Sequence, residues 1–264
     1  MSMTIGFLGA GHMGRAILEG GIRGGALDPA HVIVAEQDEP RRAAASGLGC
    51  AVSENARSLA DASTIVLCVR PQDFAVAAEA VRGQRPRLLV SVMAGIESGA
   101  IAHACGAGSR VVRAMPNAPA AIGQGMTALS RGEGATSSDV AWAARLFQGV
   151  GQVCEVPESA MWAVTAVSGS GPAWFYLLAE AILEEAAALG LDQRTSESLV
   201  AGTMTGAAAM LAAKGATPAE MREAVTTPGG TTEAGLAAMR SAGLVEAARA
   251  GVHAAFRRGE ELAR

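Results

Sequence analysis

Three glycines near the N-terminus have the spacing of a phosphate-binding loop. Gly9, Gly11 and Gly14 fit the pattern G-x-G-x-x-G, directly after a short apolar run and before a segment with helical spacing. The first glycine of such a loop permits a tight turn, the second lets the backbone approach a pyrophosphate, and the third lets helix and strand pack closely. The pattern predicts a dinucleotide site. The alternative is a glycine-rich turn that binds no ligand.

Glu36 bears on which dinucleotide binds. It follows the second predicted strand, about 20 residues after the loop, where a carboxylate accepts a hydrogen bond from the ribose 2′-hydroxyl and repels a 2′-phosphate. Arg41 and Arg42 come next on a predicted helix, where they either meet such a phosphate or face solvent. The carboxylate favours NAD at this position.

A second glycine pair precedes two threonines in the C-terminal half of the chain. This Gly-Gly-Thr-Thr segment, residues 229–232, ends a predicted loop over residues 226–232 that leads into a predicted helix over residues 233–240. Two glycines let the backbone close around a small anion, while the first N–H groups of the helix and the threonine hydroxyls supply donors. The segment therefore predicts a carboxylate site. The alternative is that the threonines only cap the helix.

Strong proton donors are scarce in this chain. It has one tyrosine, Tyr176, which lies among apolar residues and is predicted to be part of the core, and one lysine, Lys214. Reduction of a ketone creates an alkoxide, and most dehydrogenases place Lys, Tyr or His to protonate it. A cyclic imine binds as its protonated iminium, so hydride addition yields a neutral amine directly. The lack of an obvious proton donor is therefore expected for an enzyme that reduces an imine and awkward for one that reduces a carbonyl group. For an imine, the protein must supply proximity, orientation and charge complementarity.

Alternating strand and helix signals in the first part of the chain predict the elements that must position these residues. Apolar runs separated by alanine-rich segments of helical spacing indicate a parallel sheet buried on both faces. The predicted strands cover residues 4–8, 32–35, 64–69, 88–92, 110–114, 128–130 and 152–156. The predicted helices in this part cover residues 14–23, 74–81 and 138–147.

After about residue 157 only helices are predicted. They cover residues 172–189, 193–214, 233–240 and 244–262, with a further helix that starts at a capping box formed by Thr217 and Glu220. The predicted fold class is α/β: an N-terminal Rossmann-type, doubly wound parallel sheet in residues 1–158, and a C-terminal all-helical dimerisation domain in residues 159–264.

The helical half predicts a homodimer. Residues 202–211 carry alanine, glycine, methionine and threonine on most helical faces, and such a helix must be buried nearly all round. A unit of about 105 residues has little interior in which to bury it. We expect a second copy of the chain to cover this surface; ordinary packing within one chain is the alternative.

Composition and charge exclude several classes of protein. The formal net charge is −4, without the dense basic face that a nucleic-acid-binding protein needs. Apolar runs are too short for a membrane span, and the N-terminus lacks the basic region of a signal peptide. The histidines and four cysteines lack metal-ligand spacing, so we expect no metal site, no disulfides and a soluble cytoplasmic protein with reduced thiols.

Two segments resemble a known family. V-T-A-V-S-G-S-G-P-A at residues 164–173 and T-T-P-G-G-T-T at residues 226–232 closely resemble the signature segments of the pyrroline-5-carboxylate reductases. Residues 69–72, 91–96 and 113–117 also resemble motifs of that family. The resemblance implies NAD(P)H-dependent reduction of Δ1-pyrroline-5-carboxylate to L-proline, the last step of proline biosynthesis, by hydride transfer to the C=N bond. It also implies intertwined homodimers that assemble into larger rings.

The resemblance further implies roles for residues of this sequence. The residues implied to bind the cofactor NADPH or NADH are Gly9, Gly11, His12, Met13, Gly14, Asn55, Val69, Arg70, Pro71, Ala94 and Gly95, to which the argument from the residues adds Glu36. The residues implied to bind the substrate are Gly230, Thr231 and Thr232, to which the argument from the residues adds Gly229. Thr232 and Ser168 are the implied catalytic residues.

Some positions depart from the usual pattern of the family. Glu36-Gln37 stands where Asn-Arg is common, which removes an arginine suited to a 2′-phosphate, and Trp162 replaces a usual aspartate. These departures leave two alternatives open beside the proline assignment. One is a reductase of a related cyclic imino acid, such as the six-membered piperideine carboxylate. The other is a sensor that binds NAD(P) without turnover.

Overall fold

The computed structural model describes residues 4–82, 87–106, 108–213 and 215–262. Lys214, the single lysine, lies outside the described residues, as does the last residue of the helix predicted over 193–214. The chain divides into two compact units. The first comprises Met1–Pro172 together with Ala255–Arg264, and the second comprises Ala173–Ala254.

One sheet forms the centre of the first unit. Among the described residues it has eight strands in the order β3-β2-β1-β4-β5-β6-β7-β8. The strands are β1 Ile5–Leu8, β2 Val32–Ala35, β3 Ala51–Ser53, β4 Thr64–Leu67, β5 Leu88–Ser91, β6 Arg110–Met115, β7 Gly125–Arg131 and β8 Gly151–Glu155. Only the β6–β7 pair is antiparallel, so the predicted parallel Rossmann-type sheet is confirmed. Strand β3 was not predicted, because two of its three residues are exposed and it shows no apolar pattern.

Apolar residues of the inner strands alternate between the two faces of the sheet. Leu88 and Val90 of β5 belong to one hydrophobic cluster, and Leu89 between them belongs to the other. Strand β4 divides in the same way, with Val66 in the first cluster and Leu67 in the second. This double burial explains why the strands read as continuous apolar runs.

Helices cover both faces of this sheet. They are α1 His12–Arg23, α2 Glu39–Gly47, α3 Phe74–Val81, α4 Ser98–Cys105 and α5 Ser137–Gln148, joined in places by short 3-10 turns at Pro29–His31, Ala56–Leu59, Pro71–Asp73, Ala118–Ile122 and Glu158–Ala160. Helices α1 and α5 pack on one face and α3 and α4 on the other. The capping box of Thr136 and Asp139 fixes the start of α5.

The first unit extends beyond residue 158, where the sequence predicts a domain boundary. Glu158 accepts hydrogen bonds from the backbone N–H of Ser98 (2.7 Å) and from Arg113 Nη1 (3.2 Å). The Ser98 hydroxyl donates to the second carboxylate oxygen at 2.5 Å. These bonds attach the start of the helical region to β6 and α4, so the residues up to Pro172 stay with the sheet.

The helical region begins with α6 Met161–Val164, continues through a π-helical turn at Thr165–Gly169, and enters α7 Gly171–Ala188. The helices α8 Gln193–Ala212, α9 Pro218–Ala224, α10 Thr231–Ser241 and α11 Leu244–Leu262 follow. The predicted capping box of Thr217 and Glu220 is confirmed. The predicted loop over residues 226–232 ends earlier than expected, because α10 starts at Thr231.

Large apolar side chains are exposed on the second unit. Phe175 and Leu177 on α7 are 61% and 65% exposed in the single chain, and Met210 on α8 is 59% exposed. Tyr176 is 58% exposed, so its predicted place in the core of the chain is wrong. A surface of this kind marks an interaction site, as the small-residue helices predict.

The Glu158 contacts predict acid-sensitive stability. Burial raises the pKa of the Glu158 carboxyl, but hydrogen bonds from Ser98 and the charge of Arg113 outweigh it and hold the pKa below its ordinary value of 4.5. A depressed carboxyl pKa adds stability above the ordinary value and loses it as the pH falls through the native one. We therefore expect Glu158→Gln to unfold about 2 kcal/mol more easily at pH 7, because it leaves the buried Arg113 unpaired.

This difference should shrink as the pH falls below 4.5. Urea unfolding at several pH values measures it, with Glu155→Gln, at an exposed position of β8, as the matched control. An equal loss of stability at every pH would contradict the assigned ion pair.

Candidate functional site

The candidate cofactor site lies at the carboxyl edge of the sheet. Strands β1, β4, β5 and β6 run parallel, so the segments that follow them leave the sheet at the same edge. After β3 the chain crosses to β4 on the other side of β1, so the strand order reverses between β1 and β4. Open α/β sheets bind ligands at such a switch point.

Close backbone contacts at the glycine loop leave no space for a side chain at Gly9 or Gly14. Gly9 has φ +93°, and a Cβ there would lie 2.9 Å from the Cys68 carbonyl oxygen. A Cβ on Gly14 would lie 2.5 Å from the Gly9 carbonyl oxygen. Gly11 is the N-cap of α1, and the exposed His12 begins the helix. The first N–H groups of α1 therefore face the loop without partners in their own helix, which suits a pyrophosphate.

Hydrogen bonds fix the Glu36 carboxylate beside this loop. Its Oε2 accepts from the N–H of Ala10 at 2.7 Å, and its Oε1 accepts from the N–H of Asp38 at 3.0 Å. The Glu36 N–H donates to the Ser53 carbonyl at 2.9 Å, which holds the end of β2 against β3. A negative charge is thus held beside the phosphate loop, the position the sequence predicts for it.

The two arginines of α2 have different surroundings. Arg42 Nη1 donates to the carbonyls of Glu36 and Gln37, at 2.9 and 2.8 Å, and so braces the turn after β2. Arg41 is exposed, and its Nη1 would lie 3.9 Å from a Cβ on Gly11. Arg41 is therefore the arginine of this pair that stands next to the phosphate loop.

The ends of β3 and β4 supply further predicted cofactor residues. Asn55 Oδ1 accepts from the N–H of Arg57 at 2.9 Å and begins the turn after β3. After β4, half-buried Val69 leads into exposed Arg70, whose Nε donates to Asp73 at 2.7 Å, and into Pro71 at the first turn of a 3-10 segment.

Cys68 packs inside the glycine loop. Its Cβ lies 3.1 Å from the position of a Cβ on Gly14, and burial raises the pKa of its thiol to about 12. The thiol is therefore neutral at physiological pH and acts as an apolar packing group.

The segment after β5 contains two predicted cofactor residues, and the segment after β6 contacts the π-helical turn. Gly95, after half-buried Ala94, has φ +85°. Asn117, after β6, donates from Nδ2 to the carbonyl of Ser168 at 3.3 Å and to its hydroxyl at 3.4 Å. Single π-helical turns occur often at functional sites, and this one brings Ser168 to the carboxyl edge of the sheet.

Helical turns precede α7. The Ser170 N–H donates to the Thr165 carbonyl at 2.8 Å. The start of α7 therefore does not leave the Ser170 N–H free for an anion.

The Gly-Gly-Thr-Thr segment forms a closed turn in the second unit. Gly229 has φ +70°, and the Gly230 N–H donates to the Thr227 carbonyl at 2.9 Å. Thr231 and Thr232 are the first residues of α10 and are exposed. The N-cap is Gly230, which has no side chain, so the alternative that the threonines only cap the helix is wrong.

Glu233 supplies a contact at this helix start instead. Its Oε2 accepts from the Gly229 N–H at 2.7 Å. The threonine hydroxyls do not serve as helix caps and remain candidates for binding a ligand.

Two family models match the chain. One described as "Pyrroline-5-carboxylate reductase dimerisation" matches residues 158–262, and one described as "NADP oxidoreductase coenzyme F420-dependent" matches residues 4–95. A pyrroline-5-carboxylate reductase from Methanosarcina acetivorans is 34% identical over 99% of this chain and 98% of its own length. The chain belongs to the pyrroline-5-carboxylate reductase family.

Further relatives agree with this family. A pyrroline-5-carboxylate reductase from Pisum sativum is 36% identical over 99% of this chain and 96% of its own length. The solved structure of a pyrroline-5-carboxylate reductase from Coxiella burnetii superimposes with a TM-score of 0.91, at 31% identity and with all of both chains covered.

The sequence did not predict the role of Asn117 in this member of the family. Besides its bonds to Ser168, its Oδ1 accepts from the N–H of Met126 at 2.9 Å. The side chain therefore links β7 to the π-helical turn. Its place directly after a strand that ends at the carboxyl edge was the available signal.

Within the ranges that the structure describes, no three His, Cys, Asp or Glu side chains lie close enough together to hold a metal ion. In the same ranges, no helix is long and apolar enough to cross a membrane.

Proposed function

We propose that this chain reduces Δ1-pyrroline-5-carboxylate to L-proline, the last step of proline biosynthesis, with NADH or NADPH as hydride donor. Similarity to reductases of that name over nearly the whole chain carries the proposal. The glycine loop supports the cofactor, because its close backbone contacts and the free N–H groups of α1 suit a pyrophosphate.

Different residues bind different parts of the cofactor and the substrate. The loop glycines, with the backbone of His12 and Met13, hold the pyrophosphate, and Glu36 and Asn55 face the ribose near the adenine. Val69, Arg70, Pro71, Ala94 and Gly95 line the nicotinamide half. The residues that hold the substrate carboxylate are Gly229, Gly230, Thr231 and Thr232.

The chemistry needs little acid catalysis. A reduced dinucleotide held by the glycine loop would supply the hydride for the imine carbon, and the electron pair of the C=N bond would move to nitrogen. Because the imine binds protonated, the product is a neutral secondary amine that takes up a proton from water. In the first unit, Ser168, held by Asn117, is the proposed contact to the reacting ring. In the second unit, the Thr232 hydroxyl is the proposed contact to the substrate. The protein contributes mainly proximity and orientation.

Initial-rate turnover of pyrroline-5-carboxylate with each reduced dinucleotide tests the proposal. We expect saturable, imine-dependent oxidation, with kcat/KM for the five-membered ring at least tenfold above that for piperideine carboxylate, because one extra methylene is worth about 10–200-fold. A preference for the six-membered ring would favour the related-imine reductase. Tight NADH binding without turnover at any pH would favour the sensor.

Cofactor choice should follow the Glu36 carboxylate. We expect the protein to use NADH at least as well as NADPH, and Glu36→Gln to raise the NADPH:NADH ratio of kcat/KM about tenfold by removing the charge that repels a 2′-phosphate. Glu39→Gln, on the exposed first turn of α2, is the matched control. A strong NADPH preference in the unaltered protein would show that Arg41 dominates instead.

The Thr232 hydroxyl should affect substrate binding more than cofactor binding. We expect Thr232→Ala to raise KM for the imine about tenfold, the loss of one hydrogen bond to a charged group, with KM for the dinucleotide nearly unchanged. Thr232→Ser keeps the hydroxyl and should recover most of the affinity. Equal losses for both ligands would argue against the placement of Thr232 in the substrate site.

We also propose a homodimer formed through the second unit. The dimerisation model matches residues 158–262, and the exposed apolar side chains of α7 and α8 need a partner surface. Assembly of such dimers into a larger ring is a further proposal from the family resemblance. A cytoplasmic location is supported by the four cysteines, which all lie in described parts of the chain as free thiols.

A further inference from the structure

The half-buried Trp162 of α6 packs between Gly95 and Gly259, two glycines that are distant in sequence. A Cβ on Gly95 would lie 3.2 Å from Trp162 Cη2 and 3.9 Å from Cζ2. A Cβ on buried Gly259 of α11 would overlap Cε3 and lie 2.9 Å from Cζ3. One edge of the indole therefore contacts the turn after β5, and another contacts the last turns of α11.

These contacts leave little space for the turn to shift. Gly95 has φ +85°, so its backbone conformation is one that a side chain would strain. The Leu262 carbonyl oxygen lies 4.0 Å from the position of a Cβ on Gly95. The Trp162 indole and the end of α11 therefore fill the space next to Gly95 that a side chain there would occupy.

We propose that Trp162 is a positioning residue that holds the Gly95 turn in place for the nicotinamide half of the cofactor. This inference rests on the proposed function, in which Ala94 and Gly95 line that half of the site. Trp162 acts through Gly95, whose backbone is the surface on which the nicotinamide would rest.

The two ends of the cofactor should respond differently to a loss of this support. The pyrophosphate is held at the glycine loop after β1, which does not include Gly95, so binding of the dinucleotide depends little on the indole. Hydride transfer requires reacting atoms about 3–3.5 Å apart, and a displacement of 1 Å costs up to 10²-fold in rate. Loss of the indole should therefore lower kcat much more than it weakens binding.

Trp162→Phe tests this directly, because phenylalanine lacks the outer ring edge that reaches Gly95. We expect kcat for pyrroline-5-carboxylate to fall about tenfold while the dissociation constant of the dinucleotide changes less than twofold. Trp142→Phe on α5 removes an indole elsewhere in the first unit and should leave both values unchanged. Equal kinetics of Trp162→Phe and the unaltered protein would overturn the proposal.

Gly259→Ala approaches the same contact from the helix side. Its new methyl must displace the indole, so we expect a similar fall in kcat. Gly99→Ala on α4 is the matched control, because a Cβ there meets no atom within 4 Å. A fall in Tm with kcat unchanged per folded protein would show a structural role only and would overturn the proposal.

Fluorescence gives a readout independent of turnover. Quenching of tryptophan emission by NAD⁺ should exceed quenching by ADP-ribose, which lacks the nicotinamide, and this excess should disappear in Trp162→Phe. An excess that persists in the variant would overturn the proposal. Failure of the proposed function is distinguishable, because the unaltered protein would then show no imine-dependent oxidation.

Discussion

The contact of backbone with backbone between β1 and α1 is the constraint on which the rest of the cofactor site depends. The Gly9 carbonyl occupies the space of a Gly14 side chain, so helix and strand approach as closely as two main chains can. Two neighbouring strands are joined to the same turn, since Ala10 donates to Glu36 after β2 and Cys68 packs against it from β4. The ends of β1, β2 and β4 are thereby held together at the glycine loop.

The parts of the fold fixed by local pattern were predictable from the sequence. Continuous apolar runs identified seven strands of the sheet, and the capping box of Thr217 and Glu220 marked the start of α9. Strand β3 was missed because its pairing with β2, and not its own exposed residues, makes it a strand. Tyr176 was misplaced because apolar sequence neighbours do not distinguish the core of one chain from a surface that a second chain covers.

The candidate site shows the same division between local and long-range information. Spacing alone identified the glycine loop and Glu36. The threonines do not cap α10, because the helix starts at Thr231 and its N-cap is Gly230, two residues earlier than the predicted helix over residues 233–240 implies. Two contacts join residues that are distant in sequence: Asn117 with Ser168, 51 positions apart, and Trp162 with Gly259, 97 positions apart. Hydrophobic periodicity and secondary-structure propensity cannot predict such contacts.

The first unit is assembled from two separate stretches of the chain, with Ala173–Ala254 inserted between them. The last turns of α11 return to it and supply Gly259 against Trp162. A fragment that stopped at Pro172 would keep every strand of the sheet but expose one edge of that indole to water. The fold of the first unit is therefore completed only by residues that follow the whole second unit in the chain.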